Sequence, residues 1–303
     1  MTATKVGAQT PDAEWTMSEL SSWKPSEHVG SEFAERGYFL AEKFYDLTSE
    51  IRPIQEGIHR IVELVARKYQ IDTPMPATPE EAMAKTYPAI IAVNRSYGSE
   101  IYDAVKQIPA FWTMVGNARN SELFKVLRPN SVPGIAAGGA GIRIDNPRED
   151  KYRAAWHQEF PAQLRSIDGV VFWSPLLPVA KEMGPVELCP GSHKAGPIPV
   201  YEDAGGVGQT GAYALRLDRE SERLAEYEQI APLTNPGDLL VMDFLTLHAS
   251  GRNVSNRPRW TMQWRLFNFA DPVGIKIGWR GSFAAGVKYQ DILPELVASN
   301  SKA

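Results

Sequence analysis

Trp156-His157-Gln158-Glu159-Phe160 and, far along the chain, Leu247-His248-Ala249-Ser250 are the two short stretches on which the reading of this sequence turns. The first sets an imidazole and a carboxylate two residues apart; the second adds an imidazole at the end of an apolar run. On a β-strand, residues i and i+2 share a face, so His157 and Glu159 can converge on one point without distorting the backbone. His248 can close the set from a neighbouring strand. Two histidines and one carboxylate leave half of an octahedral ion open, the facial arrangement of non-haem Fe(II) oxygenases. A His-x-Glu pair arises often by chance, so the surroundings carry the weight.

Working outward, Gly169-Val170-Val171-Phe172-Trp173-Ser174-Pro175-Leu176 reads as a strand buried on both faces. Gly184-Pro185-Val186-Glu187-Leu188-Cys189 is a second, closed by the turn Pro190-Gly191-Ser192-His193. Pro236-Gly237-Asp238 leads into Leu239-Leu240-Val241-Met242-Asp243-Phe244, and residues 259–267 form a long alternating strand. Several short strands between Gly/Pro turns indicate an all-β sandwich or barrel. The small-residue run 135–144 lacks the Gly-Lys-Ser/Thr ending of a phosphate loop, and reads instead as a strand with close backbone approach.

Upstream the texture is helical. Leu47, Ile51, Ile54, Ile58, Ile61, Val62 and Val65 recur at steps of three and four, with Pro53 in or near the first turn. Thr78-Pro79-Glu80-Glu81 is a helix start, with Thr able to cap and Glu to cap back. Helical material continues over residues 87–115 and 121–127, and residues 33–40 read as a helix end turning into a short strand.

At 303 residues, with 43% hydrophobic content and 8 Trp, 11 Tyr and 11 Phe, the chain has ample material for a core. A formal net charge of -4 argues against a general nucleic-acid or polybasic membrane surface, and no apolar run approaches the ~20 residues that span a bilayer. With no charged start followed by an apolar core, cytoplasmic residence is expected. The one cysteine, Cys189, excludes an intrachain disulfide and a Cys-rich zinc site, and reads as a packed thiol. His28 and His59 have no carboxylate placed to make a site; His193 falls in a turn.

After His248 come Ser250 and, opening the last strong strand, Arg259. Arginine offers a planar fork that binds a carboxylate through two N–H groups, so an anionic co-substrate could be gripped here while its other end reaches the metal. The ordered set of residues 33–40, Trp156-His157-Gln158-Glu159, residues 172–176, Gly184-Pro185-Val186-Glu187, Pro190-Gly191-Ser192-His193-Lys194, Pro236-Gly237-Asp238 and residues 248–259 resembles the phytanoyl-CoA dioxygenase-like family of Fe(II)/2-oxoglutarate oxygenases. Residues 50–130 and 200–226 match it poorly.

The resemblance implies a mainly β protein with a double-stranded β-helix core, a jelly roll of cupin type, and helices of the N-terminal region packed around it. It implies Fe(II) on His157, Glu159 and His248. It further implies 2-oxoglutarate held at its distal carboxylate by Arg259 with Ser250, Trp173 lining that pocket, and O2 as the oxidant. The expected reaction is hydroxylation, or another oxidation at an unactivated C–H bond, of a small metabolite or natural-product intermediate, with 2-oxoglutarate converted to succinate and CO2. Glu159 departs from the family's usual aspartate, and its retention as a carboxylate argues against halogenation.

The expected organisation is a disordered tail at residues 1–14 and one catalytic domain over 15–303. Within it, 15–130 is helical support, 131–270 the jelly roll with an insertion or lid at 200–226, and 271–303 an extension. Arg143, Arg148, Lys151, Arg153, Arg165, Lys181 and Lys194 read as a solvated rim or as attraction for an anion. A small-molecule substrate is the expected partner, with homo-oligomerisation left open. Two other readings stand beside this one: a cupin-like metalloenzyme that needs no keto acid and uses His193, and a non-catalytic binding module on the same fold.

Overall fold

The computed structural model describes residues 25–26, 28–202, 215–282 and 289–298. The expected tail at 1–14 and residues 203–214 of the expected insertion lie outside them. Alternation along the central strands decides the layering. In β4 (Gly169–Pro175) every residue is buried, because the strand has a core on each side. Val170 and Phe172 face one core with Val241, Leu239, Trp260, Met262, Trp264 and Leu266. Val171 and Trp173 face the other with Tyr38, Leu240 and Met242.

Around β4 runs an antiparallel sheet in the order β1 (Tyr38–Ala41), β8 (Leu239–Asp243), β4, β10 (Arg259–Asn268), β2 (Pro133–Ile135), with β3 (Gly141–Asp145) also paired to β10. Phe172 lies opposite Trp264 and Val241; Trp173 lies opposite Gln263 and Leu240. A second, smaller layer pairs β5 (Val186–Leu188) with β9 (His248–Ser250), and isolated bridges extend it on one side through His157 to His248 and on the other through Leu188 to Ile230. A further pair, β6 (Val200–Glu202) and β7 (Leu215–Leu217), flanks residues 203–214.

Helices cover the first core. The helix α1 (Val29–Arg36) ends on Gly37 at φ 72°, which turns the chain into β1. In α2 (Arg52–Lys68), Ile54, Ile58, Val62 and Val65 bury one stripe, and Pro53 sits in the first turn as its missing N–H permits. Thr78 Oγ1 accepts from Glu81 N at 3.2 Å while Glu81 accepts from Ala77 N at 2.9 Å, so the helix start reads as expected, with the return bond one residue earlier. Two polar ties pin this layer to the sheet: Gln55 Nε2 donates to Leu176 O at 2.7 Å and Trp260 Nε1 to Met83 O at 3.1 Å. Among the described residues helix exceeds strand, so "mainly β" understates the helical share; the antiparallel sheets are one part of a mixed architecture. No helix of the described residues is long and apolar enough to cross a membrane.

Gly184 fixes the outer end of the second layer. It adopts φ +67°, and a Cβ there would lie 2.5 Å from backbone atoms of Gly251 and Arg252, just beyond β9. Gly184→Ala is therefore expected to lower stability by about 3 kcal/mol, combining left-handed strain with a backbone clash that cannot relax by rotating a side chain. Urea denaturation checks this; an unchanged midpoint would refute the close approach.

Candidate metal centre

Local structure brings the two motifs together through the backbone. His157 and His248 exchange both amide bonds, at 3.0 and 3.1 Å, as one antiparallel bridge. Contrary to the strand expected for residues 157–159, Glu159 opens a short helical turn, Glu159–Ala162, closed by Gln163 N on Glu159 O at 2.8 Å. Convergence survives because Gln158 is still extended, at φ -97° and ψ 146°. The Gln158 side chain anchors that geometry: its amide donates to Gly196 O at 2.9 Å and Leu245 O at 2.8 Å and accepts from Ile198 N at 2.8 Å. The Gly191-Ser192 turn holds the approach to β9, with Ser192 Oγ accepting from Leu247 N at 2.9 Å.

One ligand atom each from His157, Glu159 and His248 lie within 4.8 Å of one another, and all three residues are buried. Nδ1 of His157 lies 2.8 Å from Ala155 O, and Nδ1 of His248 lies 2.9 Å from Thr246 O. A carbonyl only accepts, so each Nδ1 carries the proton and each Nε2 keeps its lone pair free, which is the tautomer a metal requires. Glu159 Oε2 lies 3.6 Å from His248 Nε2 and 3.9 Å from His157 Nε2, buried and without a hydrogen-bond partner. A buried carboxylate oxygen left bare between two imidazole lone pairs is costly unless a cation joins it, so the donor set fits a divalent metal.

The charge states agree with that fit. Burial pulls the Glu159 carboxyl upward, but the Arg265 guanidinium beside it outweighs that and holds it well below the usual carboxylate range. Burial, helped by His248, pushes the His157 imidazole down to about 3, which keeps it neutral at physiological pH.

The triad opens on a cavity of about 290 Å³ between the two sheets. Trp173, Val171, Gln263 and Arg265 line it from the large sheet, Ser250 and Val186 from the small one, and Tyr102 and Lys106 from beyond the glycine-rich turn. Of the residues singled out in the sequence, His157, Glu159, His248, Ser250, Trp173 and Arg143 meet here. Arg259 shares the face of β10 used by Gln263 and Arg265, but it lies outside the cavity wall, buried against Asp145 with its Nη2 at 3.0 Å. Its Nε and Nη1 have no partner, nor has Thr261 Oγ1 two residues on. Those bare donors fit a carboxylate arriving beside Asp145.

Other expectations resolve differently. Arg165 is buried and donates to the carbonyls of Ala137 and Gln163, so it is no part of a solvated rim. Lys194 pairs with Glu35. His193 is not brought to the triad; its Nε2 lies 3.0 Å from Ala34 O. The Cys189 thiol is buried and pushed up to about 11 by desolvation, as a packed structural thiol should be. Sequence reasoning missed Arg265, Gln263 and Gln163, although period two from Arg259 along β10 points at the first two.

Antiparallel sheets holding a buried pair of histidines and one carboxylate, open on one side to a cavity, define a protein of the non-haem iron oxygenase class. Residues 141–261, which include all three of those side chains and Arg259, match the family model of phytanoyl-CoA dioxygenase (PhyH). Over that stretch the chain is similar to the phytanoyl-CoA dioxygenase family, and with its His-Glu-His triad it is a non-haem Fe(II)/2-oxoglutarate-dependent dioxygenase. A comparison with curated proteins finds no match. Solved structures share the fold at low identity. EctD from S. alaskensis, with 2-oxoglutarate and 5-hydroxyectoine, is 16% identical with a TM-score of 0.53, over 83% of this chain and 80% of that one. The non-heme alpha ketoglutarate dependent carbocyclase SnoK from nogalamycin biosynthesis is 15% identical with a TM-score of 0.52, over 80% and 84%. The corresponding epimerase SnoN is 15% identical with a TM-score of 0.52, over 86% and 91%.

Proposed function

We propose that the protein hydroxylates, or otherwise oxidises at an unactivated C–H bond, a small metabolite or natural-product intermediate. His157, Glu159 and His248 hold Fe(II); Arg259, with Ser250, holds the distal carboxylate of 2-oxoglutarate; and Trp173 walls the pocket beside it. The observation that carries this reading is Glu159 Oε2, buried without a partner and facing both Nε2 atoms. Bound there, Fe(II) with 2-oxoglutarate and O2 supplies oxidation of a C–H bond, coupled to formation of succinate and CO2.

The chain's own part is to hold and exclude. Carbonyls of Ala155 and Thr246 orient the imidazoles, and Val171, Trp173, Val186 and Met242 give the cavity between the two sheets an apolar wall. We take those sheets as the walls of a double-stranded β-helix within one catalytic domain, residues 15–303. The similar folds named above carry different outcomes by their descriptions, carbocyclisation and epimerisation among them. Substrate placement in the cavity therefore selects the product. A cytoplasmic setting, where thiols such as Cys189 stay reduced, goes with this reading.

The test is an anaerobic titration with Fe(II) and then 2-oxoglutarate, following the weak visible charge-transfer band of the chelate. The band is expected in the wild type, followed by substrate-stimulated succinate formation on admitting O2. Iron bound at the triad with no band at saturating 2-oxoglutarate would sink the co-substrate assignment.

A further inference from the structure

The two oxygens of Glu159 have unlike surroundings. Oε2 faces the histidines and has no partner, whereas Oε1 accepts the Nε–H of Arg265 at 2.9 Å. Arg265 is itself buried, on β10 opposite Val171, and its Nη1 donates to Gly139 O at 3.0 Å. Held at both ends, the guanidinium cannot swing away from Oε1 without abandoning a buried carbonyl. The turn it grips is braced again by Arg165, which donates to Ala137 O.

This asymmetry matters because of how many positions an octahedral metal has. Three protein ligands leave three open, of which a keto acid chelating through two oxygens takes two, so a single position remains for O2. Carboxylates bind metals through one oxygen or through both. A glutamate ligand has one more rotatable bond than the aspartate of related sites, and can more easily turn its second oxygen onto the ion. A second oxygen there would use the position that the keto acid or O2 requires.

We propose that Arg265 is a positioning residue that reserves Oε1 and so keeps Glu159 a one-oxygen ligand, leaving three metal positions open. The inference rests on the iron and 2-oxoglutarate reading given above. It explains how this chain carries the longer carboxylate without losing a coordination site: Arg265 withdraws the oxygen that the extra methylene would otherwise deliver.

The experiment compares wild type, Arg265→Met, and Arg265→Met combined with Glu159→Asp, all anaerobically. Fe(II) affinity is read by competition with a chromophoric chelator, and keto-acid chelation by the charge-transfer band as 2-oxoglutarate is added. Arg265→Met is expected to bind Fe(II) within about threefold of wild type yet to need about tenfold more 2-oxoglutarate for half the band, the scale of perturbing a ligand's hydrogen-bond partner. Glu159→Asp in that background sets the carboxylate back by one methylene and is expected to restore chelation toward wild type. A purely structural role for Arg265 would weaken both affinities together and gain nothing from Glu159→Asp.

The proposal is overturned if Arg265→Met chelates 2-oxoglutarate like wild type, or if it loses Fe(II) in parallel with the band. If Arg265→Met fails to fold, Arg265→Lys, which keeps the charge but gathers its donors on one nitrogen in place of the fork that spans Glu159 and Gly139, takes its place with an intermediate shift expected; no shift overturns the proposal. Failure of the wild type itself to bind iron or to show the band falls on the iron and 2-oxoglutarate reading, and takes this inference with it.

Discussion

His248→Ala is expected to reduce Fe(II) affinity by more than about 100-fold, because losing a direct ligand exceeds the 10–100-fold seen when only a ligand's hydrogen-bond partner is removed. Turnover is expected to fall to background. His248 has no substitute among the described residues, since the triad is the one group of three metal-capable side chains found there. What the substitution leaves is Glu159 and His157, too few to hold a labile ion against water. The fold should survive. His248 sits on β9 through backbone bonds to His157 that alanine keeps, and the lost side-chain contacts are the Thr246 carbonyl and the ring of His157, centroid to centroid 4.2 Å. A cost of about 1–2 kcal/mol is the scale for such a loss. Metal analysis after equilibrium dialysis, beside a urea unfolding curve, separates the two effects. A folded variant that retains stoichiometric iron at wild-type affinity would remove His248 from the site.

Much of this architecture is legible in the sequence. The runs at 169–176 and 239–244 are legible as strands because they are short, mostly apolar and bounded by Gly/Pro turns, and the structure buries every residue of β4 and β8. His248 is legible as a sheet residue because it ends an apolar run, and His157 because its spacing to Glu159 suits one face of a strand. Three things escaped. The backbone at Glu159 bends into a helical turn, fixed by Phe160 N on Phe244 O at 3.2 Å, a contact between segments distant in sequence. Arg165 reads in the sequence as a rim charge, but its bonds to Ala137 and Gln163 carbonyls depend on residues 164 and 165 both adopting positive φ, which composition does not announce. The Asp145 partner of Arg259 depends on the register of β3 against β10, which sets those residues opposite each other; periodicity identifies a face and leaves register open.

That register shapes the second large effect. Arg259→Ala is expected to raise the 2-oxoglutarate concentration for half-saturation by about 100-fold, the scale of losing charge-assisted hydrogen bonds to a desolvated carboxylate. Fe(II) affinity is expected to stay near wild type, since Arg259 touches none of the three ligands. The substitution also strips Asp145 of a partner. Burial pulls the Asp145 carboxyl upward, and Arg143 together with Arg259 overcomes it and holds the group well below the usual range. A carboxyl with a depressed folded pKa contributes stability that is present above its unfolded value near 3.9 and is lost as pH falls through the folded value. Arg259→Ala raises that folded value, so part of the contribution is missing already at neutral pH. Truncating a buried pair costs about 3 kcal/mol, less here because Arg143 Nη2 still reaches Asp145 at 2.5 Å. Asp145→Asn added to Arg259→Ala removes the buried carboxylate that has lost one of its two arginines, and is expected to recover part of the stability without recovering 2-oxoglutarate affinity. That split decides between the two roles of Arg259. If the double variant regains affinity along with stability, the arginine serves the fold and the co-substrate is gripped elsewhere; if stability returns alone, its bare Nε and Nη1 are the co-substrate's donors.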